Sequence, residues 1–254
     1  MSEGRQIEGI HEMVVVDGPQ AGSFLDGLLS QDLSQLQSNL SMRSFLLAPQ
    51  GKLRALLWVA GEPERVSLIT DAGWGKHVAD DLRHYKIRVK ATISEPMPVT
   101  TVVDAIPGNA IAATLGSRSR AFSSDPLDLP ALELAEWEQL RIEAGEPVMG
   151  TDVDESTIPQ ETGLVSEAVS FSKGCFLGQE LVARLDNRNG RVNRHLRRVK
   201  LDELPALPAA VEDDGGSITS AAGTPAGATG LGLLHRRINP GDEILVDGIR
   251  AIVL

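Results

Sequence analysis

Lys173-Gly174-Cys175-Phe176-Leu177-Gly178-Gln179-Glu180 sits inside a longer stretch, Ser170 to Asn187, that holds the only cysteine of the chain. From Leu177 to Leu185, the apolar residues Leu177, Leu181, Val182 and Leu185 recur at helical spacing and share one face. Gln179, Glu180 and Arg184 fall on the other. The pattern predicts a short helix with Cys175 just ahead of its first turn. A thiol placed there meets the positive end of the helix dipole, and the ammonium of Lys173 favours the thiolate further. The same residues also suit a small buried hydrophobe, because free cysteine is among the most buried residue types.

The composition narrows the classes. At 254 residues, 42% of them hydrophobic, the chain can bury a substantial core and divide into two domains. No apolar run approaches the roughly 20 residues that span a bilayer. Met1 to Gln6 lacks the basic start and apolar core of a secretory signal, so the expectation is a cytoplasmic protein without membrane contact. A single cysteine excludes an internal disulfide and a cysteine-only metal or cluster site, and the five histidines lack ligand spacing; no metal site is expected. The net charge of −11 disfavours wholesale binding to nucleic acid or anionic membrane. Arg184 to Lys200 runs against that balance, with seven basic side chains and Asp186 alone opposing them. It reads either as a local anion site or as a charged strand edge.

Around the cysteine stretch the chain reads as α+β with largely antiparallel pairing. Glu8 to Val16 is a first strand, closed by Asp17-Gly18-Pro19. Gln20 to Leu36 reads as one amphipathic helix burying Phe24, Leu25, Leu28 and Leu29. Ser44 to Leu47 and Leu53 to Val59 form a hairpin around Ala48 to Lys52, and Val66 to Thr70 is a further strand. A helix over Gly75 to Tyr85 leads into an alternating strand, Ile87 to Ile93. Val99 to Ile106 and Ala110 to Leu115 are short strands. Gly116 to Pro130 reads as a flexible boundary, and a helix from Ala131 to Ala144 ends at Gly145. The stretch from Val148 to Val169 is irregular but punctuated by apolar residues, the mark of a packed functional loop. After Arg191, short strands between turn signals predict a small β-barrel or sandwich.

Several of these segments resemble one family. Phe24-Leu25-Asp26-Gly27-Leu28-Leu29-Ser30-Gln31-Asp32 is similar to the F-L-x-G-L-x-T-x-D element of glycine-cleavage T-protein relatives, and Leu47 to Lys52 to their next hairpin. Leu140-Arg141-Ile142-Glu143-Ala144-Gly145 resembles their L-R-x-E-A-G element, and the stretch to Leu164 their P-x-E-x-G-L. Lys173 to Glu180 matches K-G-C-[YF]-x-G-Q-[ED], the signature of the YgfZ branch of folate-binding proteins tied to iron–sulfur cluster assembly and repair. The resemblance implies a ring of α+β subdomains over residues 1–190, tetrahydrofolate or a derivative in its central channel, and a C-terminal β-barrel over 191–254.

Site residues follow from the resemblance. Glu143 matches the pterin-binding glutamate, whose carboxylate accepts the amino and ring N–H donors of a pterin together. Cys175 matches the functional thiol, with Lys173 as its activator and Gln179 and Glu180 beside it. Arg184, Arg188 or Arg191 would meet the anionic folate tail. Where the T-protein has an acidic pair after the hairpin glycine, Gly51-Lys52-Leu53-Arg54-Ala55 carries none, so aminomethyl transfer is not expected. The first functional reading is a folate-binding protein whose partners are iron–sulfur proteins or their assembly factors. A one-carbon transferase or demethylase using another base is the second. An accessory protein in tRNA modification, with Arg184 to Lys200 on phosphates, is the third.

Overall fold

The computed structural model describes residues 4–186 and 192–254. The first half is a strongly curled antiparallel sheet. Its strands are β1 (Arg5–Asp17), β2 (Met42–Leu47), β3 (Leu53–Glu62), β4 (Arg65–Asp71), β5 (Thr92–Ile93), β6 (Met97–Val103), β7 (Ile111–Leu115) and β8 (Arg118–Ser123). They lie in the order β2-β3-β4-β1-β6-β8-β7, with β5 pairing β1. The curl brings the two edges together, where Asn39 to Ser41, just ahead of β2, exchange backbone hydrogen bonds with Ala112 of β7. Alternation then sorts the side chains. Val16, Ala55, Leu57, Val59, Val66 and Leu68 bury one face against helices α1 (Ala21–Asp26) and α2 (Gly75–Tyr85). Met13, Val15, Trp58, Ile69, Val99 and Phe122 fill the interior of the curl.

α3 (Leu134–Ala144) leads to a packed irregular stretch holding the single turn α4 (Val165–Ala168), and α5 (Gln179–Asp186) closes the first part. The last strands are β9 (Arg194–Leu201), β10 (Ala209–Val211), β11 (Gly216–Thr224), β12 (Gly227–His235), β13 (Glu243–Val246) and β14 (Ile249–Val253). They form a closed barrel in the order β10-β11-β12-β9-β14-β13 around Val199, Leu201, Ile218, Val246 and Val253. Ile142 of α3 packs on the outside of that barrel, against Leu196, Leu231 and Leu233. No helix among the described residues is long and apolar enough to cross a membrane.

Three expected elements differ. The helix over Gln20 to Leu36 stops at Asp26, followed by a single 3₁₀ turn at Leu33–Gln35. Leu29 leaves it to pair with Leu46, and the Ser30 N–H donates to the Phe45 carbonyl, so sheet pairing overrides the amphipathic period. The strand over Ile87 to Ile93 is ordered as β5 alone, because Arg88 takes a left-handed backbone and the Lys90 backbone is engaged by Gln20. The expected flexible boundary holds β8, an inner strand between β6 and β7. Its sequence, Arg118-Ser119-Arg120-Ala121-Phe122-Ser123, looks solvated until Arg120 is seen to be fully buried.

Candidate functional site

Cys175 sits on the tight turn between α4 and α5, and its thiol is exposed. A cavity of about 300 Å³ opens beside it, lined by Ser170, Phe171, Lys173, Cys175, Phe176 and Gln179. Each part of the motif builds this turn. Phe176 is the anchor, buried with Phe45, Leu47, Leu53 and Val182. Gly178 has φ +78°, and a Cβ there would stand 2.5 Å from the Ala48 carbonyl oxygen and 3.1 Å from Gly51 Cα. Gly51 likewise has φ +78°, with Leu181 Cβ 2.7 Å from its own missing Cβ. The cysteine turn and the Ala48 to Lys52 hairpin therefore touch glycine to glycine, an approach that any side chain would block. Gln179 folds back, its Oε1 accepting the Phe176 N–H at 3.1 Å.

Lys173 has a different place from the one expected. Its side chain is only 2% exposed, and its Nζ donates to the carbonyls of Asp26 (2.7 Å), Leu29 (2.9 Å) and Gln31 (2.8 Å) and to Asp26 Oδ1 (2.9 Å). An ammonium has three protons, and four acceptors on one loop already share them. We therefore assign it a positioning role in place of thiol activation. It ties the cysteine turn to the loop after α1, and the Ser30 Oγ donation to the Ala168 carbonyl and Leu177 N–H donation to the Gly27 carbonyl complete the seam. Glu180 and Arg184 lie exposed on the outer side of α5. Arg188 and Arg191 lie outside the described residues.

Glu143 is elsewhere, at the end of α3. The L-R-I-E-A-G element explains itself there. Leu140 and Ile142 are buried, and Gly145 at φ 72° ends the helix while the Gly145 and Glu146 N–H groups donate back to Ile142 and Arg141 carbonyls. Glu143 points outward and is exposed, its Oε1 accepting from Gln139 Nε2 at 2.9 Å, while Arg198 donates to its backbone carbonyl. Arg141 turns inward, 2% exposed, and joins Asp152 (2.9 Å), Glu138 and the Ser220 hydroxyl (2.7 Å) of the barrel. Asp152 in turn accepts from both Thr219 and Ser220. This clamp holds α3 on β11.

Arg54, where an acid was missing, is paired with Asp81 through two bonds (2.7 and 2.9 Å) and with Glu155, and Ala55 is in the core. Arg54 thus neutralises Asp81 and Glu155, the carboxylates that reach it from other elements.

A further cluster went unread in the sequence. Inside the curl, Glu146 bridges Arg43 and the fully buried Arg120, whose guanidinium lies 4.2 Å from the Trp58 ring. Burial pushes the Glu146 carboxyl up, but Arg120 and Arg43 outweigh it and hold the group below its ordinary range. Beside them burial, helped by Arg120, holds His11 down at about 3, while burial pushes Asp71 up to about 7. The readable signal was a polar residue at an inward position of an alternating strand, as with His11 between Gly9 and Met13.

No protein-family model matches the chain. It is 30% identical over 266 aligned positions to the mitochondrial iron–sulfur cluster assembly factor IBA57 of Mus musculus, an alignment covering 88% of this chain and 73% of that protein. The chain belongs to the IBA57/YgfZ family. The tRNA-modifying protein YgfZ of Yersinia pseudotuberculosis is 26% identical over 190 residues, covering 73% of this chain and 53% of that one. The fold is that of glycine cleavage system aminomethyltransferase T from Bartonella henselae, with a TM-score of 0.83 over 99% of this chain and 85% of that chain, at 18% identity. Within the IBA57/YgfZ family frame, the structure assembles Cys175, Lys173 and Gln179 around one cavity. Glu143 lies outside the residues lining it.

Proposed function

We propose that this chain binds tetrahydrofolate or a derivative and supports the assembly or repair of iron–sulfur clusters, with Cys175 as the functional thiol. The observation that carries the reading is the cysteine turn. Three parts of the motif hold one exposed thiol at a cavity mouth: Lys173 gathers a distant loop, Phe176 anchors, Gly178 permits close approach. A thiol held at the surface, rather than packed in the core, is placed to meet another molecule. Being single, it supplies one ligand to a cluster whose other ligands come from a partner, or one site for reversible oxidation.

For folate, the exposed Glu143 carboxylate is the acceptor. Binding the paired donors of a pterin there displaces Gln139 from Oε1. We assign the anionic tail to Arg184, exposed on α5, and give Gln179 and Glu180 the places beside the thiol. Tetrahydrofolate, when bound, supplies a carrier for one-carbon units that is itself readily oxidised. The absence of an acidic pair after Gly51, where Arg54 and Ala55 stand, argues against aminomethyl transfer, and Arg54 is itself occupied by Asp81.

The test is an anaerobic calorimetric titration with tetrahydrofolate. One-site binding that weakens at least tenfold in Glu143→Ala supports the folate reading, and absence of heat removes it. Cys175→Ser should keep folate binding while losing support of cluster enzymes; loss of both would return the cysteine to the folate site. The name of the YgfZ relative favours a role in tRNA modification as the second reading. Against direct phosphate contact by β9, Arg194 pairs with Glu161 and Arg198 with the Glu143 carbonyl.

A further inference from the structure

A groove of about 460 Å³ opens in the wall of the barrel, where β10 and β13 meet. β10 is three residues long and pairs with β13 only at Val211 and Val246. Just beyond, Asp213 and Asp214 both take a left-handed backbone, at φ 56° and 55°, and turn the chain away toward β11. The floor left open is apolar, made by Val211, Ile238, Ile244 and Leu245. Glu212 and Asp213 stand in its wall with Asp214 next to them, all three exposed and, among the described residues, without an ion-pair partner. The two cations of the wall are Arg237 and Arg250, and Arg250 is held by Glu243 at 2.5 Å.

The loop between α2 and β5 has the opposite character. From Leu82 to Ser94 the chain carries four Lys and Arg side chains and no Asp or Glu. Arg83 pairs with Asp80 and Glu95, but Lys86, Arg88 and Lys90 have no ion-pair partner among the described residues. In their midst Ile87 is 77% exposed, the most of any large apolar side chain described. The fold sets its position. Tyr85 and Val89 pack on the core on either side of it, and Gln20 Oε1 accepts the Lys90 N–H at 2.7 Å. Arg88 is left-handed at φ 56°, a conformation that a non-glycine residue keeps only where its surroundings impose it.

We propose that this loop docks in the barrel groove of a second copy of the chain, with Ile87 on the apolar floor and Lys86, Arg88 and Lys90 against Glu212, Asp213 and Asp214. An apolar tip ringed by cations meets an apolar hollow edged by carboxylates, so charge aligns the two surfaces and burial of Ile87 holds them. The contact is small, which makes the association weak and reversible. It is also head-to-tail. One pairing leaves a free loop at one end and a free groove at the other, so copies add until a ring closes. The proposal rests on neither folate binding nor the thiol.

The test is sedimentation velocity of the full chain in a reductant, which keeps the exposed Cys175 from linking copies. The wild type should associate as its concentration rises, and going from about 0.05 M to about 0.5 M salt should weaken the association about tenfold, because exposed charges align the contact. Ile87→Asp removes the apolar tip, and Leu245→Asp, at a side chain 44% exposed, spoils the floor. Each folded variant should remain monomeric. Mixed in equal amounts, the two should form a dimer and nothing larger, since each keeps the surface that the other has lost. If Leu245→Asp does not fold, Glu212→Lys takes its place in the mixture. A wild type that stays monomeric up to about 1 mM overturns the proposal and leaves the loop to a partner other than this chain. So does a folded variant that associates as the wild type does, or a mixture that stays monomeric while the wild type associates.

Discussion

Replacing Lys173 with methionine separates a clamp from an activator. The substitution keeps the unbranched apolar stem, one atom shorter, and removes the ammonium that Asp26, Leu29 and Gln31 share. Three backbone carbonyls then lose a charged donor. An acceptor left unmet costs about 1–3 kcal/mol, and at a loop that water can reach the low end applies, so the three together come to about 3 kcal/mol. Asp26, 42% exposed, adds little, because a carboxylate near water is solvated without its partner. For a chain of this size about 3 kcal/mol lowers Tm by about 6–12 °C. Arginine should not rescue it, since a planar fork cannot reach acceptors gathered around a point. The assay is urea unfolding, followed by the rate at which a disulfide reagent modifies Cys175, the only thiol present. The clamp predicts a large loss of stability with the pH profile of modification unchanged. Native stability together with a displaced profile would refute the reasoning and return Lys173 to thiol activation.

Three other outcomes follow from the same contacts. Gly178→Ala puts a Cβ at φ +78° against the Ala48 carbonyl and should cost at least about 2 kcal/mol in chemical denaturation; a neutral result would mean that the two turns do not meet. Arg141→Met leaves Asp152 buried without its cation and should cost about 3–5 kcal/mol, read in the same way. His11 and Asp71 make opposite contributions to stability against pH. The His11 contribution, from a lowered folded value, is lost as pH falls from 6.5 toward 3, whereas that of Asp71, from a raised one, is lost as pH rises from 3.8 toward 7. In the wild type the two slopes oppose each other between about pH 4 and 6.5. Asp71→Asn should therefore make stability rise with pH across that window, and His11→Gln should make it fall, both visible in urea midpoints.

Local pattern carried the sequence reading where burial and periodicity agreed. The strands around Val14, Leu57 and Leu68, the helix at Val78 and Leu82, and the barrel after Val192 all show their buried face in the spacing of apolar residues. It failed where a distant partner decided the local conformation. Nothing near Leu28 reveals that Ser30 will pair with Phe45 and Ala168, so the helix was extended past Asp26. Arg120 read as solvated because Glu146, its partner, stands 26 residues away on another element. The site divides in the same manner. Cys175 and the glycines were legible as a motif, but the direction of the Lys173 side chain was not, because sequence adjacency to a thiol says nothing about which way four methylenes point. His11 and Asp71 were missed for a related reason: each is an ordinary polar residue until the curl of the sheet brings them face to face.

The seam between Lys173 and the loop after α1 also orders events in time. Its bonds join positions 142 to 147 residues apart, so the loop is synthesised long before its lysine exists. Contacts of such separation form late, after the loop-closure entropy of the intervening chain has been met by other pairings. A nascent chain that has made the curled sheet still carries three open carbonyls between Asp26 and Gln31. The thiol turn consequently closes after the curled sheet, and its docking on the loop after α1 reports that the sheet is already in place.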